Sequence, residues 1–538
     1  MITKIILLLS ILPILYKLFF WLYTIQLKEY RLDRYKEYLA TLQWKQAIFN
    51  KINHLEVLFL VLAIINLVAF WNTNQIINYT IVFFLWLYNL LFLYKAFKKK
   101  LLKPKSTTRI LIIYVLFFIW WWIDLYFLNS DTYLKFSSIY VFLVLVFMPL
   151  ILFFYNFISL PIVNYKKNKI INSAIKKSKQ INNPPIKIAI TWSYWKSSVK
   201  EFLSSILEQD WETLKTPENI NTELWVSAII LNKLSDKYKY FVAEIWAYRI
   251  WEIKTLWKIV NHKYWFLTAI WNQHIGLFWN QENIKKGKFE ILEKVIENKW
   301  FLYVNADNKH IEDYLDKINT TNIIRYWISS DKACAKSRIL EIKNLNTKFE
   351  FNYNWIQETF ETNLIWEHNI LNLTWILAFC YDIWLKTEDL KKYLLNIKKP
   401  KNTQEIQVIK SRKWKVESEL ILIDDTYNLS VAWLKSGVDL LKYFNDKQKI
   451  LVLDDILELW EKAWEIHHNL AKEIAENKQV DKVLYVWVNY EDDFEKGLID
   501  WGFDKENILS TKSFSPLIKS SVILFEGKKA KTILDKFN

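Results

Sequence analysis

The residues best suited to chemistry lie in Ile190-Thr-Trp-Ser-Tyr-Trp-Lys-Ser-Ser198, which follows the apolar run Ile186-Lys-Ile-Ala-Ile190 and precedes an amphipathic stretch. A loop between a buried strand and a helix start can bind an anion, because backbone N–H groups there point at phosphate oxygens. Lys196 would reach the β and γ phosphates of a nucleotide, and the Ser197 hydroxyl would ligate Mg²⁺. Trp192, Ser193, Tyr194, Trp195, Lys196, Ser197 and Ser198 are therefore the candidate nucleotide cradle. Such a cradle needs glycine, so that backbone can meet phosphate with no Cβ in the way. Indoles at 192 and 195 would block it, and an ordinary strand–turn–helix is then the alternative.

Composition bears on this conflict. The 538 residues include 29 Trp and only 6 Gly, whereas glycine is usually about 7% of residues. A large α/β chain needs glycine for turns and helix ends. Tryptophan stands where glycine is expected at Trp192, Trp195, Trp246, Trp251 and Trp300. Some bacteria read the codon UGA as glycine, and a common alternative code reads it as tryptophan. We therefore expect many of these tryptophans to be glycine in the source cell, while Trp120-Trp121-Trp122 suits an apolar segment as it stands. With glycine at 192 and 195 the segment reads Thr-Gly-Ser-Tyr-Gly-Lys-Ser-Ser, a phosphate loop.

The elements that must position this loop change character along the chain. Apolar stretches at roughly 4–25, 55–71, 78–97, 109–128 and 137–160 approach the ~20 residues of a spanning helix. Lys and Arg crowd the first and third connections and the segment after the fifth stretch, but are scarce in the second and fourth. This alternation predicts five spans in the cell membrane, the N-terminus outside and everything after 165 cytoplasmic. Asp124, near the end of the fourth stretch, is expected to reach the interface. The net charge of +16 fits a membrane surface and gives no separate reason for a nucleic-acid partner. The only cysteines, Cys334 and Cys380, exclude a disulfide framework and a cysteine-built zinc site. No transporter signature accompanies the helices.

From 186 onward short β runs recur at 186–190, 240–245, 266–270, 301–304, 420–423, 450–453, 482–488 and 521–525, most separated by amphipathic helical stretches, the first of them at 198–207. That alternation indicates α/β architecture with mainly parallel sheets. A Lys-, Asn- and Pro-rich span at 395–410 makes a joint. The expected organisation is a five-helix transmembrane block over 1–165, a juxtamembrane linker over 166–185, a central ATP-binding domain over 186–398 and a Rossmann-like C-terminal domain over 399–538.

Read with glycine, several ordered blocks resemble the Mur ligases. Beyond the phosphate loop they are Thr216-Pro-Glu-Asn-Ile-Asn-Thr-Glu-Leu-Trp225, Glu244-Ile-Trp-Ala-Tyr-Arg-Ile-Trp-Glu252, Thr268-Ala-Ile-Trp-Asn-Gln-His-Ile-Gly276, Lys288-Phe-Glu290, Asn305-Ala-Asp307, Trp366-Glu-His-Asn369, Asp424-Asp-Thr-Tyr-Asn428, and Leu457-Glu-Leu-Trp-Glu461 with His467. The resemblance covers about 186–530. It implies that Glu244 and His274, with Ser197, ligate Mg²⁺, and that Lys288 is the carbamylated lysine that helps hold a second Mg²⁺. Taken alone, Glu244 reads as a solvated strand-end acid, His274 as a hydrogen-bonded loop histidine and Lys288 as one lysine of a basic helix. The resemblance also places His368, Asn369, Arg412, Asp425 and Asn428 around the nucleotide and the interdomain cleft. Asp454 and Asp455 read as structural, and His467 and His468 as helix-surface residues.

The resemblance implies an ATP-dependent amide ligase of peptidoglycan precursor synthesis. A peptide carboxylate would be activated as an acyl phosphate and joined to an amine such as D-Ala-D-Ala, with Lys196, Lys288 and His274 as the catalytic set and ATP and Mg²⁺ as cofactors. The partners implied are a muramoyl-peptide or lipid-linked wall precursor and an amino acid or dipeptide. Soluble members carry an N-terminal domain for the UDP-sugar, whereas apolar helices stand in its place here, and Leu429-Ser-Val-Ala follows the Asp-Asp-Thr-Tyr-Asn block where the family shows Ala-Asn-Pro. A lipid-linked or other acceptor, and an inactive Mur-like membrane scaffold, stay open as alternatives.

Overall fold

The structure is a computed structural model. It describes residues 2–28, 30, 51–70, 74–98, 100–128, 136–191, 196–217, 221–245, 252–267, 297–298, 300–305, 323–327, 334–343, 346–365, 367–399, 403, 405–411, 418–427, 429–456, 463–486, 490–509 and 520–537. The chain divides into two units, Met1–Lys169 and Ile170–Asn538.

The first unit is helical: α1 (Ile2–Leu27), α2 (Lys51–Phe70), α3 (Gln75–Phe97), α4 (Thr108–Leu128) and α5 (Ser137–Ile158). Helices are the expected form, because an apolar segment of this length can satisfy every backbone group within itself. By length and composition Lys4–Leu27, Gln75–Phe97 and Ser137–Ile158 can each cross a membrane, and Asn53–Ala69 is a shorter apolar helix. The five apolar stretches all coincide with helices. Some polar groups inside the unit are paired. Lys17 Nζ lies 2.8 Å from Glu56 Oε2, and the Tyr88 hydroxyl donates to Glu56 Oε1 at 2.9 Å. Asp124, expected only at an interface, accepts from the Tyr140 hydroxyl at 3.1 Å. Helix α6 (Leu160–Gln180) leads into the second unit.

The second unit contains two sheets. The first is built from β1 (Ile186–Thr191), β2 (Thr213–Lys215), β3 (Tyr240–Ile245), β4 (Tyr264–Leu267), β5 (Phe301–Asn305), β6 (Ile323–Trp327), β7 (Ala335–Lys343), β8 (Asn346–Tyr353) and β9 (Ile356–Thr362), in the order β2-β3-β1-β4-β5-β6-β7-β8-β9. Its helices are α7 (Lys196–Asp210), α8 (Glu223–Lys233), α9 (Glu252–Val260), α10 (Glu367–Asp382) and α11 (Thr387–Leu395). Every residue of β3 is buried, as a parallel strand covered on both faces requires. Alternation sorts its side chains: Val242 joins a core with Ile188 and Ile190, while Phe241 and Ala243 join another with Ala189.

The second sheet comprises β10 (Glu405–Ser411), β11 (Ser418–Asp425), β12 (Gln448–Leu453), β13 (Lys482–Tyr485), β14 (Ile508–Leu509) and β15 (Ser521–Glu526), with α12 (Val431–Leu440), α13 (Ala463–Asn477), α14 (Glu491–Asp500) and α15 (Lys531–Leu534). Its order is β10-β11-β15-β12-β13-β14. All neighbours are parallel except β10 with β11.

Expectation and structure differ in places. The first soluble helix runs from 196 to 210 rather than 198 to 207, and the strand expected at 266–270 begins at Tyr264. Strands β6 to β10 were not foreseen, and β7-β8-β9 is an antiparallel extension of a parallel sheet. Its residues alternate apolar with Lys, Glu and Thr, so no continuous apolar run marks them. The expected joint at 395–410 contains the start of β10 at Glu405.

Candidate functional site

The site forms at the C-terminal edge of β1 and β3, where open α/β sheets bind ligands. The two strands pair in parallel with Ile190 opposite Glu244. Thr191 closes β1 and Lys196 opens α7, so a strand before and a helix after the candidate cradle are present. Residues 192–195 lie outside the described residues, and only the backbone of Lys196 is described.

Glu244 is the centre of what is described, at 2% exposure. The Ser197 hydroxyl, one residue into α7, donates to its Oε2 at 3.0 Å. Lys200 Nζ lies 3.3 Å from the same oxygen and its side chain is wholly buried. Asn221 Nδ2 donates to Oε1 at 3.2 Å. The backbone N–H of Glu244 donates to Thr216 Oγ1 at 3.0 Å, which fixes the strand end that presents the carboxylate. Sequence reasoning singled out Ser197 and Glu244 but not Lys200. Its signal is the spacing: Lys200 follows Lys196 by four residues, one helical turn on the same face.

Hard oxygens that share a magnesium ion sit about 2.9–3.0 Å apart on an octahedral edge, given metal–oxygen distances of about 2.0–2.1 Å. The 3.0 Å separation of Ser197 Oγ and Glu244 Oε2 fits such an edge, and Lys200 would exchange part of its contact for the cation. Among the described residues, no group of three His, Cys, Asp or Glu side chains could hold a metal. His274, Lys288, Arg412 and Asn428 lie outside the described residues.

A second set of residues bridges the two sheets' domains. His368, in the first turn of α10, has its Nδ1 2.6 Å from Ser436 Oγ on α12, and its ring packs near Trp433. Burial pushes His368 down to about 3, so the ring is neutral in this contact. Its neighbour Asn369 is also buried. Asp425 ends β11 and accepts from the Trp433 indole N–H. Asp424 instead caps its own turn, accepting from the Thr426 N–H at 3.1 Å. Asp425 also lies opposite Glu526 across β11 and β15. Burial, with Asp425 adding to it, pushes the Glu526 carboxyl well up. Ser436 and Glu526 were not foreseen; nothing about a lone serine or a strand-end glutamate marks them in sequence.

Asp454 and Asp455, expected to be structural, each accept a hydrogen bond from a neighbouring element. Asp454 accepts from the Lys529 N–H at 2.9 Å, and Asp455 accepts from the Tyr485 hydroxyl. His467 corrects an expectation. It is not a helix-surface residue but fully buried; its Nε2 accepts from the Ile456 N–H at 3.1 Å and its Nδ1 lies 2.6 Å from Ala463 O. The amphipathic pattern of α13 gave no sign that a histidine would occupy its inner face.

Strand, helix start, buried acid and flanking serine form an α/β arrangement suited to holding a phosphate. Residues 190–380 match the family model described as Mur ligase middle domain. The UDP-N-acetylmuramoyl-tripeptide–D-alanyl-D-alanine ligase of Buchnera aphidicola subsp. Acyrthosiphon pisum is 26% identical over 353 residues, 65% of this chain and 73% of that one. The ligase of that name from Escherichia coli K12 is 25% identical over 300 residues, 56% of this chain and 64% of that one. A crystal structure of MurF from Acinetobacter baumannii superposes with a TM-score of 0.59 at 22% identity, covering 69% of this chain and 80% of that one. The MurF ligase of Thermotoga maritima in complex with ADP gives 0.57 at 20%, covering 69% and 83%. Residues 190–380 thus match a Mur ligase middle domain, and over the spans compared the chain is similar in sequence to proteins named as ligases.

Proposed function

We propose that this chain joins D-Ala-D-Ala to a UDP-muramoyl tripeptide, the reaction for which its curated relatives are named. The observation that carries the reading is the convergence of Ser197, Lys200 and Asn221 on buried Glu244 at the end of β1 and β3. The connection between β1 and α7 would hold the ATP triphosphate, its charge met by the N-terminus of α7 and by Lys196. Ser197 and Glu244 would hold Mg²⁺, and the family resemblance adds His274 and Lys288 to that set. The metal supplies neutralisation of charge on the transferring phosphoryl group. Lys196 stabilises the same charge while the tripeptide carboxylate attacks the γ-phosphorus, giving an acyl phosphate and ADP. The dipeptide amine then attacks the acyl carbon, loses its proton, and phosphate leaves. The residues mainly position and polarise; no side chain becomes covalently bonded. The family resemblance assigns Asn369, Arg412 and Asp425 to the nucleotide side of the cleft, and the His368–Ser436 contact helps set how the two domains meet.

Residues 1–165 are a multi-pass anchor in the cell membrane, with the catalytic domains in the cytoplasm. The apolar helices favour a second reading of the acceptor, a wall precursor carried on a lipid. The test is ADP release by the full-length chain in detergent, with glycine encoded at 192 and 195. Release that requires both UDP-muramoyl tripeptide and D-Ala-D-Ala is expected. Release only with a lipid-linked precursor selects the second reading, and no release with either, together with no ATP binding, leaves an inactive Mur-like scaffold.

A further inference from the structure

Two helix ends in the second unit are built identically but carry different residues. At the end of α14 the N–H of Gly502 donates to Ile499 O and the N–H of Phe503 to Leu498 O, with Gly502 at φ +84°. At the end of α10 the N–H of Trp384 donates to Tyr381 O and the N–H of Leu385 to Cys380 O, with Trp384 at φ +68°. Both are the double-bonded C-terminal cap whose central residue must enter the left-handed region, a position glycine fills. A bulky L-residue there is a conformational outlier. Nothing offsets the strain at 384, because the indole is 88% exposed.

A hairpin carries another exposed tryptophan. Strands β8 and β9 pair with Tyr353 opposite Ile356, leaving a two-residue hairpin loop, Asn354-Trp355. Asn354 is at φ +53° and Trp355 is 87% exposed. Asn-Gly is the favoured pair for such a loop, but Trp355 itself is not in the left-handed region, so the hairpin places no backbone demand on 355. The other left-handed non-glycine positions among the described residues are Tyr30, Asn261 and Lys478, and Trp384 has the largest positive φ of the set.

We infer that residue 384 is glycine in the protein as its own cell makes it, encoded by UGA. The inference rests on backbone geometry outside the phosphate loop, so it stands or falls separately from the ligase reading. It extends the decoding argument from composition to one particular position: the helix cap calls for the residue that the sequence lacks.

The test is mass spectrometry of protein isolated from source cells. One tryptic peptide, Phe349–Lys386, contains the position, and fragment ions assign it. Glycine at 384 is the expected result; tryptophan there overturns the inference. A second measurement uses the full chain made in a host that inserts tryptophan. Trp384→Gly should raise the unfolding temperature by several degrees, whereas Trp384→Ala, which keeps a Cβ, should recover much less. Equal gains from both would mean that the exposed indole, not left-handed backbone, is the liability, and the geometric argument would fail.

Discussion

Replacing Lys200 with methionine tests whether the described charge arrangement at Glu244 is real. Lys200 is wholly buried and Glu244 nearly so, with Nζ and Oε2 3.3 Å apart. At an effective dielectric near 20, unit charges at that distance attract by about 5 kcal/mol. Desolvation opposes this by several kcal/mol per ion, yet removing one partner of a buried pair costs about 3–5 kcal/mol because the other is stranded. Glu244 retains the Ser197 and Asn221 donors, so the lower end, about 3 kcal/mol, applies to Lys200→Met. The assay is urea unfolding of the detergent-solubilised chain, read by proteolysis within Ile170–Asn538. If charge stranding is the cause, Lys200→Met combined with Glu244→Gln should lie within about 1 kcal/mol of Glu244→Gln alone, since neighbouring sites are coupled. Wild-type stability in Lys200→Met, or losses that simply add in the double variant, would refute the reasoning.

Three further outcomes follow from the same geometry. Ser197→Ala should raise the Mg²⁺ concentration for half-maximal ADP release by about 10–100-fold while leaving the unfolding midpoint nearly unchanged, which a Mg²⁺ titration and a melt check together. His368 is held at about 3 in the folded chain against about 6.5 unfolded. The unfolded state therefore binds the extra proton between those values, and stability falls as pH drops from 6.5 towards 3. The slope is about 1.4 kcal/mol per pH unit, and His368→Gln should lose that share in paired urea titrations. Gly437→Ala would place a Cβ 2.3 Å from Glu526 Oε1 and 3.0 Å from Leu524 Cδ2; overpacking of this kind costs about 1–3 kcal/mol, seen as a lower melting temperature despite alanine's better helix propensity.

The sequence made the central parts of the fold readable because buried parallel strands are short unbroken apolar runs. Ile186–Ile190 and Tyr240–Ile245 could hardly be anything else once flanked by amphipathic helices. The β7-β8-β9 extension was illegible for the opposite reason: Ala335–Lys343 mixes lysine, glutamate and serine with its apolar residues. The Asn354-Trp355 turn would have announced the hairpin had it read Asn-Gly. Ser197 was accessible through motif chemistry and Glu244 through the family resemblance, and the structure brings them within hydrogen-bonding distance. Lys200 and Asn221 were not, since their role appears only when α7 and the segment before α8 converge on one carboxylate. His467 misled because helical periodicity reports which face is apolar, not whether an imidazole can be satisfied inside it.

Strand order has a consequence for how the molecule is manufactured. In the second sheet β15 is the last strand to be synthesised yet lies between β11 and β12. While Ser521–Glu526 is still within the ribosome, β11 and β12 have no shared neighbour to zip against, and two half-sheets wait with open edges. Long-range parallel pairing of this kind is slow and leaves unpaired edges open to aggregation. Premature termination anywhere before 521 would thus cost the whole second sheet rather than trim its rim, and nascent chains stalled there are natural clients for chaperones.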